Sequence, residues 1–224
     1  MRVALIDADI FVYRVAFASD SEPVSYAIQT MAESLEDLIM FDLDVNEWDL
    51  YLTGKNNFRY DVAKTAPYKG NRKDKEKPKH YQALRDYLVS AWDAQVIDGM
   101  EADDAISIRA TELGDDSVIV TIDKDLMMVP GWHYNFVKKE LSHVTEEEGM
   151  LWFYKQMLMG DSADNIKGVR GIGPVTAEKL LDGLSQKEMW DLCVEKLGSE
   201  ERAIENAHLL WMLRHPDEYF SPPV

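Results

Sequence analysis

The sequence predicts an α/β fold with a mostly parallel central sheet, helices on its faces and a helical C-terminal region. Three observations carry this. Short aliphatic and β-branched runs alternate with amphipathic stretches up to about residue 130. The clearest run, Ser-Val-Ile-Val-Thr-Ile at 117–122, has the continuous apolar character of a strand buried on both faces. Capping-box spacings at Thr145 and Ser185 open helices in the last third, which reads as all helical.

Taken in order, residues 2–7 read as a buried strand. Residues 9–18 and 24–41 have helical periodicity, with Ile28, Met31, Leu35, Leu38 and Ile39 on one stripe. Residues 48–53 form a second strand. Gly54, Pro67 and Gly70 break 54–77 into a loop or arch. Pro78 sits near the start of an amphipathic helix over 79–92. A short strand at 95–98 leads to a helix at 102–113 that stops at Gly114. Residues 132–137 and 141–144 suit an edge hairpin. The internal boundary falls near 144–160, dividing an α/β part, 1–144, from a helical part, 145–224.

The chain has 224 residues, 41 acidic and 24 basic, for a net charge of −17. A hydrophobic share of 46% supports a real core and excludes wholesale disorder. No apolar run is long enough for a membrane helix or a secretory segment. The single cysteine, Cys193, cannot form an internal disulfide, which points to a reducing cytoplasm. Spread evenly, −17 would repel nucleic acid. It is not spread evenly. Residues 55–85 hold ten basic and three acidic groups, a net of +7 that leaves −24 elsewhere. The island is either a solvated loop or a phosphate-binding arm. Phe58, Tyr60, Tyr68 and Tyr81 lie in it or beside it, as stacking on bases would require.

Carboxylates recur where the expected strands end. Asp7 closes the first strand, and Asp9 follows two residues on. Glu101, Asp103 and Asp104 open the helix after the third. Asp123 and Asp125 follow 117–122, and Asp161 and Asp164 sit on a later helix expected to lean over the same edge. Ligands of open α/β sheets bind at the carboxyl ends of the strands, so these clusters can converge there. Each pair could alone be a helix cap. Together they would repel one another and call for divalent cations. Oxygen donors without His or Cys suit Mg²⁺ or Mn²⁺. The five histidines show no ligand spacing, and no Walker loop, dinucleotide fingerprint or Gly-x-Ser-x-Gly is present.

The stretch 161–181 contains Gly168, Gly171 and Gly173, then Pro174 at a helix start. Such a turn frees helix N-terminal N–H groups for a phosphate, and Lys167, Arg170 and Lys179 add positive charge. A plain helical hairpin is the simpler alternative.

These pieces resemble the 5′–3′ exonuclease and flap endonuclease family, most of all its short phage members. The matching motifs are Leu-Ile-Asp-Ala-Asp at 5–9, Phe58-Arg59, Tyr68-Lys69-Gly70-Asn71-Arg72, Glu101-Ala102-Asp103-Asp104, Thr121-Ile122-Asp123-Lys124-Asp125 and 160–181. The resemblance implies a PIN-like, Rossmann-like α/β domain over 1–144 that includes a basic arch at 55–85. It also implies a DNA-binding helix–three-turn–helix at about 160–183. It implies two divalent ions, Mg²⁺ or Mn²⁺, on Asp7, Glu101, Asp103, Asp123, Asp125, Asp161 and Asp164, with Asp104 beside them. Asp7 and Asp123 are thereby expected in catalysis, and Lys69 and Arg72 at the scissile phosphate. Arg59 and Tyr68 are expected on DNA with them. Lys167, Gly168, Arg170, Gly171, Gly173, Thr176 and Lys179 would grip the duplex backbone, with K⁺ on the turn carbonyls.

Many relatives carry an aspartate at the end of the second strand, where this chain reads Leu-Tyr-Leu-Thr-Gly at 50–54. Asp9 is expected to compensate, because alternate positions of an extended chain share a face. The expected activity is two-metal phosphodiester hydrolysis on DNA with a free 5′ end, nick or flap, with RNA–DNA hybrids a side substrate. The expected protein is a cytoplasmic monomer, in the host cytoplasm if phage-encoded, acting in replication, repair or recombination. Two alternatives are a non-catalytic binder of branched DNA and a PIN-type ribonuclease. A polymerase-associated structural domain is disfavoured, since no polymerase region lies within the 224 residues.

Overall fold

A computed structural model of the chain describes residues 2–73 and 75–224. Asp74, one of the acids counted in the basic island, lies outside the described residues. Six strands form one sheet in the order β3-β2-β1-β4-β5-β6. β1 (Val3–Asp7) pairs in parallel with β2 (Glu47–Thr53) and with β4 (Ser117–Val120). β3 (Gln95–Ile97) extends the sheet beyond β2, and β5 (Gly131–Asn135) beyond β4, both also parallel. β6 (Glu140–Val144) closes the far edge as the antiparallel arm of a hairpin with β5.

The central strands read as continuous apolar runs because both sheet faces are covered. Alternate side chains point to opposite sides. Ala4, Ile6, Leu50, Leu52, Val118 and Val120 enter one core with α1 (Ala8–Ala18), α2 (Val24–Asp37) and α4 (Tyr81–Trp92). Leu5, Tyr51 and Ile119 enter a second core, packed by α5 (Ala102–Leu113) and α6 (Glu146–Met159). That second core continues into α7 (Pro174–Leu181), α8 (Gln186–Leu197) and α9 (Glu200–Leu210). Among the described residues, no helix is long and apolar enough to cross a membrane.

The expected capping boxes form. Thr145 accepts from the Glu148 N–H, and Ser185 from the Glu188 N–H. Elsewhere the structure corrects the sequence reading. The strand expected over 117–122 leaves the ladder after Val120, because the Asp123 N–H turns back to Thr121 Oγ1 at 3.0 Å. The helix expected from 79 begins at Tyr81, and the 54–77 segment is not all loop. It contains a helical turn, α3 (Arg59–Val62), and a 3-10 turn at Gly70–Arg72. The last third is not all helical either. β7 (Gly160–Asp161) and β8 (Ile166–Lys167) form a small antiparallel hairpin after α6. Asp161 and Asp164 therefore sit on a hairpin, not on a helix. Gly160, at φ +70, makes the exit from α6, a conformation that favours glycine.

Candidate metal centre and nucleic-acid interface

The parallel strands β1 and β4 end side by side, which brings Asp7 to the chain that follows β4. Asp7 is 3% exposed and caps α1, and one of its oxygens accepts from Thr121 Oγ1 at 2.9 Å. Burial pushes its carboxyl up to about 7, helped by the charges of Asp9 and Asp123. Asp103, in the first turn of α5, is held well above the usual carboxylate range by burial and then by Asp7 and Asp123. Asp125 is also pushed up to about 7, by burial and then by Asp123 and Asp161. Asp7, Asp103, Asp123, Asp125 and Asp161 thus repel one another in turn, and they are called here an acidic strip.

At one end of the strip, carboxylate oxygens of Asp125, Asp161 and Asp164 all lie within 4.8 Å of one another. This all-oxygen set, with Asp161 and Asp164 buried and Asp125 half-buried, fits a hard divalent cation, and it lacks the N and S donors that zinc sites favour. Lys124 reaches over it, 3.0 Å from Asp125 and 3.5 Å from Asp161. Gln156, fully buried on α6, donates its amide to Asp125.

The basic arm meets the same carboxylates. Lys69 Nζ pairs with Glu101 and lies 3.7 Å from Asp164. Burial would raise the Glu101 carboxyl, but Lys69 and Arg59 hold it below the usual range. Arg72 reaches Asp164 at 2.7 Å and the Ala163 carbonyl at 3.0 Å. The Lys69 N–H donates to the Asp164 carbonyl, and Lys69 itself is left-handed at φ +51. A non-glycine residue adopts that conformation at a cost, here with its amide held by the hairpin.

Four expected site residues do other work. Arg59 is 0% exposed and forms a buried pair with Asp104, so neither a phosphate nor a metal ion reaches them. Both Asp104 oxygens are taken, by Arg59 and by the N–H groups of Glu101 and Leu213. Tyr68 is 4% exposed and donates to Asp164 at 2.8 Å while lying 3.1 Å from Glu101. It orients carboxylates and has no free face for a base. Asp9 points to Arg85 at 2.6 Å and to the Thr53 N–H at 2.7 Å. Thr53 ends β2 without a carboxylate, and its Oγ1 accepts from the Ala102 N–H.

Of the ten island cations, Arg59 is in the core and Arg85 is turned to Asp9. Lys55, Lys64, Arg72, Lys73, Lys75, Lys77 and Lys79 are exposed. On the glycine turn, Lys167, Arg170, Gly171, Thr176 and Lys179 are exposed, while Gly168 and Gly173 are half-buried. Gly171 is at φ +86. A Cβ on Gly168 would lie 2.1 Å from the Met159 carbonyl carbon, so the hairpin is closed against the end of α6. Sequence reasoning missed Thr121, Lys124 and Gln156. Lys124 was legible between two aspartates, and Gln156 as the polar member of an apolar helix face.

No protein-family model matches the chain. Over 219 residues it is 27% identical to a 5′–3′ exonuclease of Buchnera aphidicola, covering 88% of this chain and 75% of that protein. The chain resembles the 5′–3′ exonuclease and flap endonuclease family in both sequence and fold. Its PIN-like α/β fold matches that of phage T5 5′-exonuclease, a structure with bound zinc, at TM-score 0.72. The match covers 94% of this chain and 89% of that one, at 19% identity. The catalytic core of Rad2, in complex with DNA substrate, matches at TM-score 0.55 and 16% identity over 85% of this chain and 63% of that one. DNA polymerase I of Rhizobium leguminosarum is 39% identical over 97 residues, 38% of this chain and 10% of that protein. DNA polymerase I of Bacillus caldotenax is 28% identical over 209 residues, 80% of this chain. The chain thus spans between a tenth and about a quarter of the length of these two polymerases.

Proposed function

We propose that this protein is a divalent-metal-dependent 5′–3′ nuclease. It hydrolyses phosphodiester bonds of duplex or branched DNA carrying a 5′ end, nick or flap. The observation that supports this best is the meeting of Asp125, Asp161 and Asp164 with Lys69 and Arg72 at the carboxyl ends of the strands. Among the proteins it resembles are one named 5′–3′ exonuclease and a T5 flap endonuclease, the latter in a complex with DNA and metal ions.

Two sites divide the carboxylates in this reading. Asp7, Asp103 and Asp123 form the first, with Asp9 and Glu101 beside it. Asp125, Asp161 and Asp164 form the second. Mg²⁺ or Mn²⁺ held there would lower the pKa of water and neutralise charge on the phosphate. The chain's own residues do the rest. Lys69 and Arg72 exchange their carboxylate partners for the phosphoryl oxygens, and Arg72 grips two of them at once. Water adds to phosphorus, the bond to the 3′ oxygen breaks and that oxygen is protonated. The products are a 5′ phosphate and a 3′ hydroxyl.

The α/β part, 1–144, supplies most of the chemistry in this proposal. The part over 145–224 holds duplex backbone on the turn at 168–177, where K⁺ could bind the carbonyls. The exposed cations of the arm track the 5′ strand. RNA–DNA hybrids are a further substrate, and the protein acts as a cytoplasmic monomer.

Incubating nicked and flapped 5′-labelled DNA with Mg²⁺ or Mn²⁺ tests the reading. The expected result is a ladder of short products that disappears with a chelator. Binding without products would favour a non-catalytic branched-DNA binder, which the Thr53 position supports. Preferential cleavage of RNA would favour a ribonuclease.

A further inference from the structure

α9 lies beyond the motifs shared with the exonuclease family, and it carries none of the proposed metal or phosphate ligands. One of its faces, at positions 202, 205, 206 and 209, nevertheless bonds to the main chain of two distant segments. These positions are three and four apart and so lie on one side of the helix. Asn206 Nδ2 donates to the Lys167 carbonyl at 3.0 Å. Arg202 Nη2 lies 3.3 Å from the carbonyls of both Lys167 and Gly168. Lys167 pairs with Gly160 in the hairpin that carries Asp161 and Asp164.

The same face holds the entry to the basic arm. Glu205 accepts from the N–H of Lys64 at 2.7 Å, from the N–H of Thr65 at 2.6 Å and from the Thr65 hydroxyl at 2.6 Å. The Leu209 carbonyl accepts from Arg59 Nε at 2.9 Å, and the Trp211 carbonyl from Arg59 Nη2 at 2.7 Å. Arg59 in turn holds Asp104, next to Asp103 on α5. Ala203, Ala207 and Leu210 bury the adjoining side of α9 in the core, so apolar packing docks the helix in addition to these polar bonds. The bonds are therefore available to locate other segments.

We propose that α9 is a strut that sets the separation between the metal-bearing hairpin and the basic arm. Asn206, Arg202 and Glu205 are its positioning residues. The inference rests on the nuclease reading above. Transfer at phosphorus demands sub-ångström placement of charge relative to the phosphate, and misplacement by about 1 Å costs on the order of 100-fold in rate. Main-chain bonds at both segments provide that placement independently of which metal or DNA is bound.

The test uses the full chain with Asn206→Leu, Glu205→Ala and the conservative Glu205→Gln. It reads amide hydrogen exchange without DNA, Mn²⁺ affinity and turnover. Asn206→Leu should speed exchange over 160–168 and weaken Mn²⁺ binding about tenfold, as loss of an outer-shell partner does, while leaving exchange at 64–65 alone. Glu205→Ala should speed exchange at Lys64 and Thr65 and lower kcat about tenfold without changing Mn²⁺ affinity. Glu205→Gln should restore both, since its amide oxygen still accepts from the two N–H groups. Variants that share a lower melting temperature but keep wild-type Mn²⁺ affinity and turnover would overturn the proposal, as would unchanged exchange. If the wild type binds Mn²⁺ and cleaves nothing, the nuclease reading fails, and the exchange and Mn²⁺ results still decide the strut. Failure of the wild type to bind Mn²⁺ overturns both.

Discussion

Arg59 and Asp104 are 45 residues apart and form an ion pair wholly removed from solvent, with Arg59 Nη2 2.8 Å from Asp104 Oδ1. The pair joins the base of the basic arm to the first turn of α5. It stands directly behind Glu101 and Asp103, which face the acidic strip. A charge pair of this kind holds its place because Arg59 donates four hydrogen bonds and each Asp104 oxygen accepts two.

Removing one partner should therefore act on folding. Arg59→Ala or Asp104→Ala should destabilise the protein by about 3–5 kcal/mol by leaving an uncompensated buried charge. Replacing both with apolar residues should not restore stability, because Asp104 also accepts from the Glu101 and Leu213 N–H groups. Urea unfolding of the three variants checks this. A variant of normal stability that merely binds DNA less tightly would place Arg59 at the interface instead.

The second prediction uses the repulsion among Asp125, Asp161 and Asp164. Asp161→Asn should raise the melting temperature of the chelator-treated protein by relieving like-charge repulsion. It should also reduce the stabilisation gained from added Mg²⁺. Asp123→Ala should leave DNA affinity within about threefold, yet remove cleavage. Thermal scans with and without Mg²⁺ and a cleavage assay decide both. Undiminished Mg²⁺-dependent cleavage by Asp123→Ala would defeat the metal assignment.

Lys69 and the outer lysines of the arm should separate kinetically. Lys69 is drawn in among Glu101 and Asp164, whereas Lys75 and Lys77 are exposed. Lys69→Ala should lower kcat on the order of 100-fold with little change in DNA affinity. Lys75→Ala and Lys77→Ala should mainly weaken affinity and flatten its salt dependence. Single-turnover rates at saturating protein, beside binding titrations at several salt concentrations, make the comparison. An affinity loss as the main effect of Lys69→Ala would reduce it to an electrostatic anchor.

The raised carboxyls also predict a pH dependence. Asp7 and Asp125 each move from 3.8 to about 7 in the fold. Between those values the folded chain keeps protons that the unfolded chain has released. The stability from these groups is thus full below about pH 4 and lost as the pH rises through about 7. Glu101, held low by Lys69 and Arg59, acts in the opposite sense, but only as the pH falls below the ordinary carboxylate range. The melting temperature of the chelator-treated protein should fall between pH 5 and pH 7.5, and Mg²⁺ should flatten that fall. A midpoint that rises over this range without metal would contradict the buried placement of Asp7 and Asp125.

Local elements and the chemical inventory were legible in the order of the residues. Apolar runs at β1 and β4 marked a sheet covered on both faces, because a strand buried twice has no polar side. Capping residues at Thr145 and Ser185 marked helix starts, because the hydroxyl and the carboxylate three residues on satisfy each other's N–H groups locally. The carboxylates and the +7 island were legible as composition. Which of those charges meet at the acidic strip depends on how the distant segments pack. Asp103 and Asp104 are neighbours in the chain, yet successive positions on a helix point about 100° apart. Asp103 therefore enters the acidic strip, and Asp104 meets Arg59 in the core. Asp161 and Asp164 reach Asp125 from a hairpin whose two-residue strands are too short to leave a periodic signal. Asp9 and Arg85, and α9 with the arm and the hairpin, are joined across intervals that no local pattern spans. Their pairing exists only once the two cores have closed around the sheet.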